Sequence, residues 1–290
     1  MKRTRRAFTL PELLVVLVII IVLTSILAPV FFTIKQSAKS AVCLSNFRNA
    51  YFATSLYLGD YDDRYMPVNQ QPAEEPNSRN DRTWVQMIMP YVNTYGIFRC
   101  PEDNSDRPRR EASFDTDLVP GDTYSQYYTA SLRTNLGFNF VYFSPIFQQG
   151  DNWVSQPKTS VEVDDPAGTF LYIDSVWALE PDGTPTGGGS WLVVPPCRFD
   201  ESGADTFSEG TNATNVFTND ADGWDVGKPM SPLQYGGAWP WHKGKTRMST
   251  VAADGHVRSL TPKQIEDGCN VQPKWDGRIE DRSKYMWDLR

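Results

Sequence analysis

Residues 5–32 read RRAFTLPELLVVLVIIIVLTSILAPVFF. The last 20 residues of this stretch, 13–32, carry no charge. At about 1.5 Å per residue, a helix of that length spans the hydrocarbon core of a bilayer, which is roughly 30 Å thick. Four basic residues precede the run: Lys2, Arg3, Arg5 and Arg6. Because lysine and arginine accumulate on the cytoplasmic side, the pattern predicts a single-pass helix whose N-terminus is cytoplasmic.

Two residues distinguish this stretch from other apolar N-terminal segments. A secretory signal peptide has a shorter apolar run and a small-x-small cleavage site, and residues 26–28 before Pro29 make a poor site of that kind. A plain membrane anchor accounts for the length and the charges but not for Glu12. A carboxylate at the edge of a spanning helix costs a few kcal/mol unless it is paired, so Glu12 is a candidate functional residue.

The segment RRAFTLPELLVVLVIII at 5–21 resembles the class III signal of type IV pilins and type II secretion pseudopilins. In that family a prepilin peptidase cuts before a phenylalanine and methylates the new amine, and a glutamate follows four residues later. The resemblance places the cut between Ala7 and Phe8 and identifies the glutamate as Glu12. Pro29 also matches a proline that the family often carries. Ala7 departs from the pattern, since the family usually has glycine there.

The resemblance implies a structural subunit that polymerises. Residues 1–7 would be the leader, 8–32 the transmembrane and filament-core helix, 33–58 its amphipathic continuation, and 59–290 an extracytoplasmic domain. The expected partners are other pseudopilin subunits, the prepilin peptidase, an inner-membrane assembly platform and membrane lipid. Before assembly the chain would sit in the inner membrane, with its body periplasmic or extracellular. Cleavage would create the Phe8 amine, which Glu12 of the same or a neighbouring subunit could then pair with.

Further along the chain, CLSNFRNAYFATSLYLGDYDDRYMP at 43–67 resembles the signature of a large prepilin-type subfamily. That subfamily is named after a C-terminal motif that consists of a histidine, nine intervening residues and Asp-Gly. The segment IFRCPED at 97–103 matches its Cys-Pro-x-Asp element. His242 and Asp254-Gly255 match the ends of the name-giving motif, although eleven residues separate them here.

The rest of the sequence predicts an α+β fold, in which a long N-terminal helix packs on an antiparallel sheet with long loops. Apolar residues at spacings of three and four continue the first helix to about residue 58. Aromatic and β-branched runs predict strands, and RMSTVAADGHVRSL at 247–260 predicts a hairpin with a type I′ turn at Asp254-Gly255. The predicted strands are 136–143, 168–179 and 190–195, and the predicted short helices are 84–92 and 261–268.

The four cysteines are widely spaced and include no Cys-x-x-Cys pair, so a zinc site of cysteine pairs is not expected. An even number suits disulfides in a body outside the cytoplasm, and four buried thiols are the alternative. We favour the pairs Cys43–Cys100 and Cys197–Cys269.

The composition narrows the possible functions. The net charge is −7 and no basic patch lies beyond the N-terminus, which argues against a nucleic-acid partner. No G-x-S-x-G, P-loop or H-E-x-x-H motif occurs, so we expect no enzymatic activity; a membrane-anchored hydrolase is the least supported alternative. The Asp254-Gly255 pair is read as a turn, and His242 as a hydrogen-bonding residue that pins a loop.

Two binding functions stay open. Family pseudopilins can bind calcium, and the loop at 219–227 carries Asp220, Asp222 and Asp225 near a glycine, although it lacks the terminal glutamate of a calcium loop. No other cofactor is expected, and a solvated loop is the simpler interpretation. The tryptophans of the second half could form a glycan-binding face, although aromatic residues in sheets are more often core. The alternative function is therefore a membrane-anchored extracytoplasmic protein that binds glycans or exported substrates and does not polymerise.

Overall fold

The computed structural model describes residues 9–70, 82–92, 94–105, 128–149, 152–180, 182–207, 236–270 and 278–289. The helices are α1 (Leu10–Asp60), α2 (Trp84–Ile88), α3 (Tyr128–Leu132), α4 (Phe140–Phe143) and α5 (Pro262–Ile265). The strands are β1 (Asn69–Gln70), β2 (Arg82–Thr83), β3 (Leu136–Phe138), β4 (Ile146–Gln149), β5 (Asn152–Ser155), β6 (Phe170–Asp174), β7 (Ala178–Leu179), β8 (Pro185–Thr186), β9 (Met248–Ala252) and β10 (Val257–Leu260). The predicted α+β class is confirmed.

Helix α1 is 51 residues long and has two halves with different surroundings. Residues 9–38 are exposed, including the whole apolar run. The helix continues through Pro29, where the Thr33 hydroxyl donates to the Pro29 carbonyl at 3.1 Å. Proline removes one backbone donor, which loosens a helix locally but does not have to end it.

The second half of α1 is part of the core of the body. Its buried residues recur mainly every three or four positions and form one face: Ser40, Cys43, Phe47, Ala50, Ala53, Thr54 and Tyr57. This face packs against β9, β10 and the 3-10 turn at Tyr95–Phe98. The Thr54 hydroxyl lies 2.6 Å from the hydroxyl of Tyr172 on β6, which fixes the rotation of the helix over the sheet. The amphipathic half therefore docks on its own body.

The main sheet has four antiparallel strands in the order β10-β9-β6-β3. Ile173 of β6 pairs with Thr250 of β9 on one side and with Gly137 of β3 on the other. All residues of β6 and β9 are buried. Trp84 stacks on Tyr172 with 4.9 Å between ring centroids, so α2 closes the core between α1 and the sheet.

Two predicted strands are wrong in whole or in part. In 136–143 the strand ends at Phe138, and Phe140–Phe143 is a helix whose four side chains are all buried. Asn139 interrupts the strand, and its side-chain amide donates to the backbone carbonyls of Phe170 and Trp287. Segment 190–195 makes only a single bridge, from Leu192 to Phe138.

The C-terminal hairpin is confirmed, but its turn differs from the predicted type I′. That turn needs positive φ at both central residues, whereas Gly255 has a φ of 91° and Asp254 is not among the residues with positive φ. The backbone amide of Ala252 donates to the carbonyl of His256 at 2.9 Å. The loop therefore has three residues, 253–255, and ends on Gly255 in the left-handed region. Helix α5 begins after the Thr261 cap as predicted but ends at Ile265 rather than 268.

Candidate functional sites

The start of α1 holds Glu12 in a defined conformation. Thr9 is the N-cap, and Glu12 is the third residue of the helix. The Thr9 amide donates to Glu12 Oε2 at 2.8 Å, and the Thr9 hydroxyl donates to the same oxygen at 2.7 Å. This is the glutamate half of a capping box. Glu12 therefore folds back toward the residue that follows Phe8. Phe8 and Ala7 themselves lie outside the described residues.

The apolar half of α1 has no partner within the described part of the chain. Its large side chains are all at least half exposed, from Leu10 at 77% to Ile34 at 61%. Among the described residues there is one helix that is long enough and apolar enough to cross a membrane, and it is α1. Its length and exposure are compatible with a single-pass membrane anchor. The Pro29 predicted to loosen the helix lies in this half.

The four cysteines fall into two pairs, of which Cys43, Cys100 and Cys197 are buried and Cys269 is half-buried. Cys197 and Cys269 form a disulfide, which is the pairing that the sequence favours. Cys43 and Cys100 lie side by side with their sulfurs 2.7 Å apart, but both are free thiols. A disulfide needs about 2.05 Å, so the predicted residues are brought together without the bond.

His242 lies beside the two free thiols and is fully buried. Its Nε2 is 3.0 Å from Asp174 Oδ2 and 3.7 Å from Cys100 Sγ, and its Nδ1 is 3.4 Å from Glu102 Oε2. Burial lowers the pKa of His242, but hydrogen bonds with Asp174 and Cys100 outweigh it and raise the pKa to about 11. Burial and Cys43 raise the pKa of the Cys100 thiol.

Asp174 and Glu102 were not predicted from the sequence. Glu102 follows Cys100 and Pro101 directly, within the predicted Cys-Pro-x-Asp element. Asp174 is the last residue of the buried strand β6 and has no exposed surface. A carboxylate that ends such an apolar run is the signal that could have indicated it, since buried charges need a partner.

The two ends of the His/Asp-Gly motif do not pair with each other. Asp254 accepts from the backbone amide of His256 at 3.0 Å and also contacts its imidazole, on the exposed surface. Gly255 packs against Tyr51 of α1, so closely that a Cβ on Gly255 would lie 2.4 Å from Tyr51 Cε1. The turn that was predicted for Asp254-Gly255 is present and rests on α1.

The residues predicted to bind calcium or glycans do not form a binding site within the described part of the chain. Asp220, Asp222 and Asp225 lie outside the described residues. Of the tryptophans considered for a glycan face, Trp241 is buried, whereas Trp177, Trp191 and Trp239 are half-buried. Trp177 carries the Arg133 guanidinium 3.3 Å above its ring.

Comparison with known proteins identifies the N-terminal segment. Residues 2–28 match the family described as the prokaryotic N-terminal methylation motif. The comparisons with curated proteins and with solved structures gave no match. The motif and the apolar helix that begins within it support a type IV pilin-like substrate of prepilin peptidase. The match ends at residue 28, so the resemblance of the body to the subfamily with the His/Asp-Gly motif stays a prediction.

Proposed function

We propose that the chain is a pseudopilin-like structural subunit of a type II secretion pseudopilus or a type IV pilus-like filament. Prepilin peptidase cuts it between Ala7 and Phe8 and methylates the Phe8 amine. The observation that carries the proposal is the methylation motif at residues 2–28, within which α1 begins, together with an apolar first half of α1 that has no partner among the described residues. This half holds the subunit in the inner membrane, with its body on the periplasmic side, until it packs against other subunits.

Glu12 gives the proposal its mechanism. A carboxylate in the apolar core of a filament is costly unless it has a partner. The Glu12 carboxylate accepts both of its hydrogen bonds from Thr9, the residue next to Phe8. Cleavage frees a cation on Phe8, one residue away from these donors. Processing and assembly are thereby coupled, because only a processed subunit carries the amine that compensates Glu12.

We propose no catalytic role for the body. The alternative is a membrane-anchored protein that binds glycans or exported substrates. It has less support, since Trp177, Trp191 and Trp239 are half-buried and Trp241 is buried.

The first experiment is mass spectrometry of the full chain from membranes of a host with prepilin peptidase. We expect a mature N-terminus at Phe8 that carries a methyl group. The same chain from a strain without the peptidase serves as the control and should keep Met1. An intact Met1 in both strains, or a cut after Ala28, would show the proposal to be wrong.

The second experiment separates the charge of Glu12 from its capping role. Glutamine at the third helical position retains the capping box, so Glu12→Gln removes the charge and keeps the cap. We expect this variant to insert and to be cleaved but to lose filaments or inter-subunit cross-links. The matched variant Thr9→Val removes the capping hydroxyl and keeps the charge, so it should still assemble. Normal assembly of Glu12→Gln would contradict the pairing with Phe8.

A further inference from the structure

A buried cluster of metal-binding side chains lies where four segments of the body meet. Cys43 comes from α1, Cys100 from the segment after the Tyr95–Phe98 turn, and His242 from the segment before β9. One ligand atom from each of these three residues lies within 4.8 Å of the others, and all three residues are buried. Asp174, at the end of β6, lies outside this set of three and contacts it through Oδ2, which is 3.0 Å from His242 Nε2.

The donor types match one class of ion. Thiolate sulfur and imidazole nitrogen are the preferred ligands of zinc, and a carboxylate oxygen is a common fourth. Four such donors from separate segments suit a structural site, because the ion then fastens elements that are distant in the sequence. Here it would tie α1 to the sheet.

Three buried polar atoms in the cluster have no hydrogen-bond partner: Asp174 Oδ1, Glu102 Oε1 and His242 Nδ1. The side chains of Asp174 and Glu102 are 0% and 9% exposed. His242 is the only described basic residue that forms an ion pair with either carboxylate. Asp174 Oδ1 has no hydrogen-bond partner although its side chain has no exposed surface, and a buried polar atom of that kind costs free energy. A metal ion bound by Asp174 would supply that partner, while the two positive charges of zinc(II) would be balanced by the thiolates of Cys43 and Cys100.

Glu102 occupies the position of an outer carboxylate. Metal-bound histidines usually donate their second ring N–H to a carboxylate or a carbonyl, which orients the ring and strengthens the bond to the metal. His242 Nδ1 faces Glu102 Oε2 at 3.4 Å, while Nε2 faces Asp174 and Cys100.

The sulfur–sulfur separation of 2.7 Å lies between the distance in a disulfide and the distance between two sulfurs bound to zinc. A disulfide needs about 2.05 Å, and two sulfurs on a tetrahedral zinc lie about 3.8 Å apart when each bond is about 2.3 Å. The thiols would part by about 1 Å to bind zinc. A disulfide would involve only the two sulfurs and would leave the buried Asp174 Oδ1 without a partner. A metal ion would be bound by both sulfurs, His242 and Asp174, and Glu102 would accept from His242. We propose that Cys43, Cys100, His242 and Asp174 bind a zinc(II) ion, with Glu102 supporting His242.

The test is metal analysis of the full chain in detergent, purified without reductant or chelator. We expect about one zinc per chain. Cys43→Ser and His242→Ala should each lower the zinc content at least tenfold. His256→Ala is the matched control: it removes the other histidine, which is exposed and pairs with Asp254, and it should keep its zinc. Equal zinc in His242→Ala and His256→Ala would overturn the proposal.

Thiol labelling keeps the test decisive if a ligand variant fails to fold. In the unmodified chain, we expect two thiols to become reactive only when denaturant and chelator are both present. The other outcome is a chain that has no zinc, has no reactive thiols and is two hydrogens lighter than the chain with the Cys197–Cys269 disulfide alone. Such a chain would contain a Cys43–Cys100 disulfide, and the proposal would be wrong. Glu102→Gln removes no ligand and should fold, and we expect it to weaken zinc affinity about 10- to 100-fold.

Discussion

At the scale of single residues, Gly255 shows how closely the C-terminal hairpin fits α1. Its φ of 91° favours glycine, and a Cβ there would overlap the ring of Tyr51. We expect Gly255→Ala to lower the free energy of unfolding by about 2–4 kcal/mol, from left-handed strain and overpacking together. Chemical denaturation of the detergent-solubilised chain measures this change.

Gly244 provides the control for that prediction. It also has positive φ, 67°, but no atom lies within 4 Å of the place of its Cβ. Gly244→Ala should therefore cost only the backbone strain, about 1–2 kcal/mol. If the two variants lose the same stability, the contact between Gly255 and Tyr51 carries no energy.

Glu266, at the C-terminal end of α5, gives a pH dependence. Burial, and secondarily the nearby Asp267, raise the pKa of Glu266 from 4.5 to about 7. The folded state then holds its proton more tightly than the unfolded state, so stability falls as pH rises from 4.5 to about 7. Glu266→Gln should equal the parent chain at the acidic end of this window and become more stable than it toward neutral pH.

Unfolding midpoints measured from about pH 4 to about pH 8 test this window. Glu201→Gln, which neutralises an exposed carboxylate, is the control. A stability difference between Glu266→Gln and the parent chain that stays constant over the whole range would contradict the prediction.

The residues of the buried cluster show what a sequence can and cannot indicate. Cys43, Cys100 and His242 stood out because their residue types are rare in this chain and match a subfamily pattern. Asp174 and Glu102 did not stand out, because the chain has 35 acidic residues and only the contacts of these two with the buried His242 in the folded chain separate them from the rest. Burial of a particular carboxylate depends on tertiary packing, which a local pattern does not encode.

At the scale of elements, the Cys197–Cys269 disulfide holds the C-terminal segment against the body. It joins residues 72 apart, and the Cys197 amide donates to the Tyr285 hydroxyl at 3.4 Å. Closing a loop of that length removes entropy from the unfolded chain, and loss of such a bond typically costs about 2–5 kcal/mol. We expect this loss in the double variant Cys197→Ser/Cys269→Ser.

The measurement is denaturant unfolding of the parent and the double variant under non-reducing conditions. Each single variant should lose at least as much stability as the double variant, since it leaves one buried thiol without its partner. A double variant as stable as the parent chain would mean that the bond adds nothing to the stability of the body.

The elements that were predicted correctly have a clear period. In the second half of α1, apolar residues recur every three or four positions. In the 248–260 hairpin, apolar and polar residues alternate on both sides of a loop that contains glycine. Segment 136–143 lacks alternation, because the side chains of Phe140–Phe143 are all buried. A continuous apolar run fits a buried strand and a buried helix equally well, and the hydrogen bonds of Asn139 decide between them only in the folded chain.

At the scale of the whole molecule, α1 belongs to two structures at once. Its first half has no contacts with the described body, and its second half contributes seven buried residues to the core. A membrane or filament can therefore take up the first half without disturbing the fold. Movement of one half reaches the body only along the helix, through the residues around Ser40 where burial begins.

This division predicts the outcome of two truncations. A chain that begins at Gln36 lacks the exposed apolar half and keeps every buried residue of α1, so it should be soluble and should unfold cooperatively. A chain that begins at Tyr61 also loses Phe47, Thr54 and Tyr57, and should not fold. Circular dichroism and size-exclusion chromatography of the two chains measure this.

A point variant separates the loss of packing from the loss of length. Phe47 is 1% exposed, and Phe47→Ala in the chain that begins at Gln36 should cost about 3–5 kcal/mol, as for other buried phenylalanines. Val42→Ala is the control, because Val42 is 48% exposed on the opposite side of the same helix segment and should change stability little. A folded chain that begins at Tyr61, or equal losses in the two variants, would mean that the body does not need α1, and the helix would then be an anchor alone.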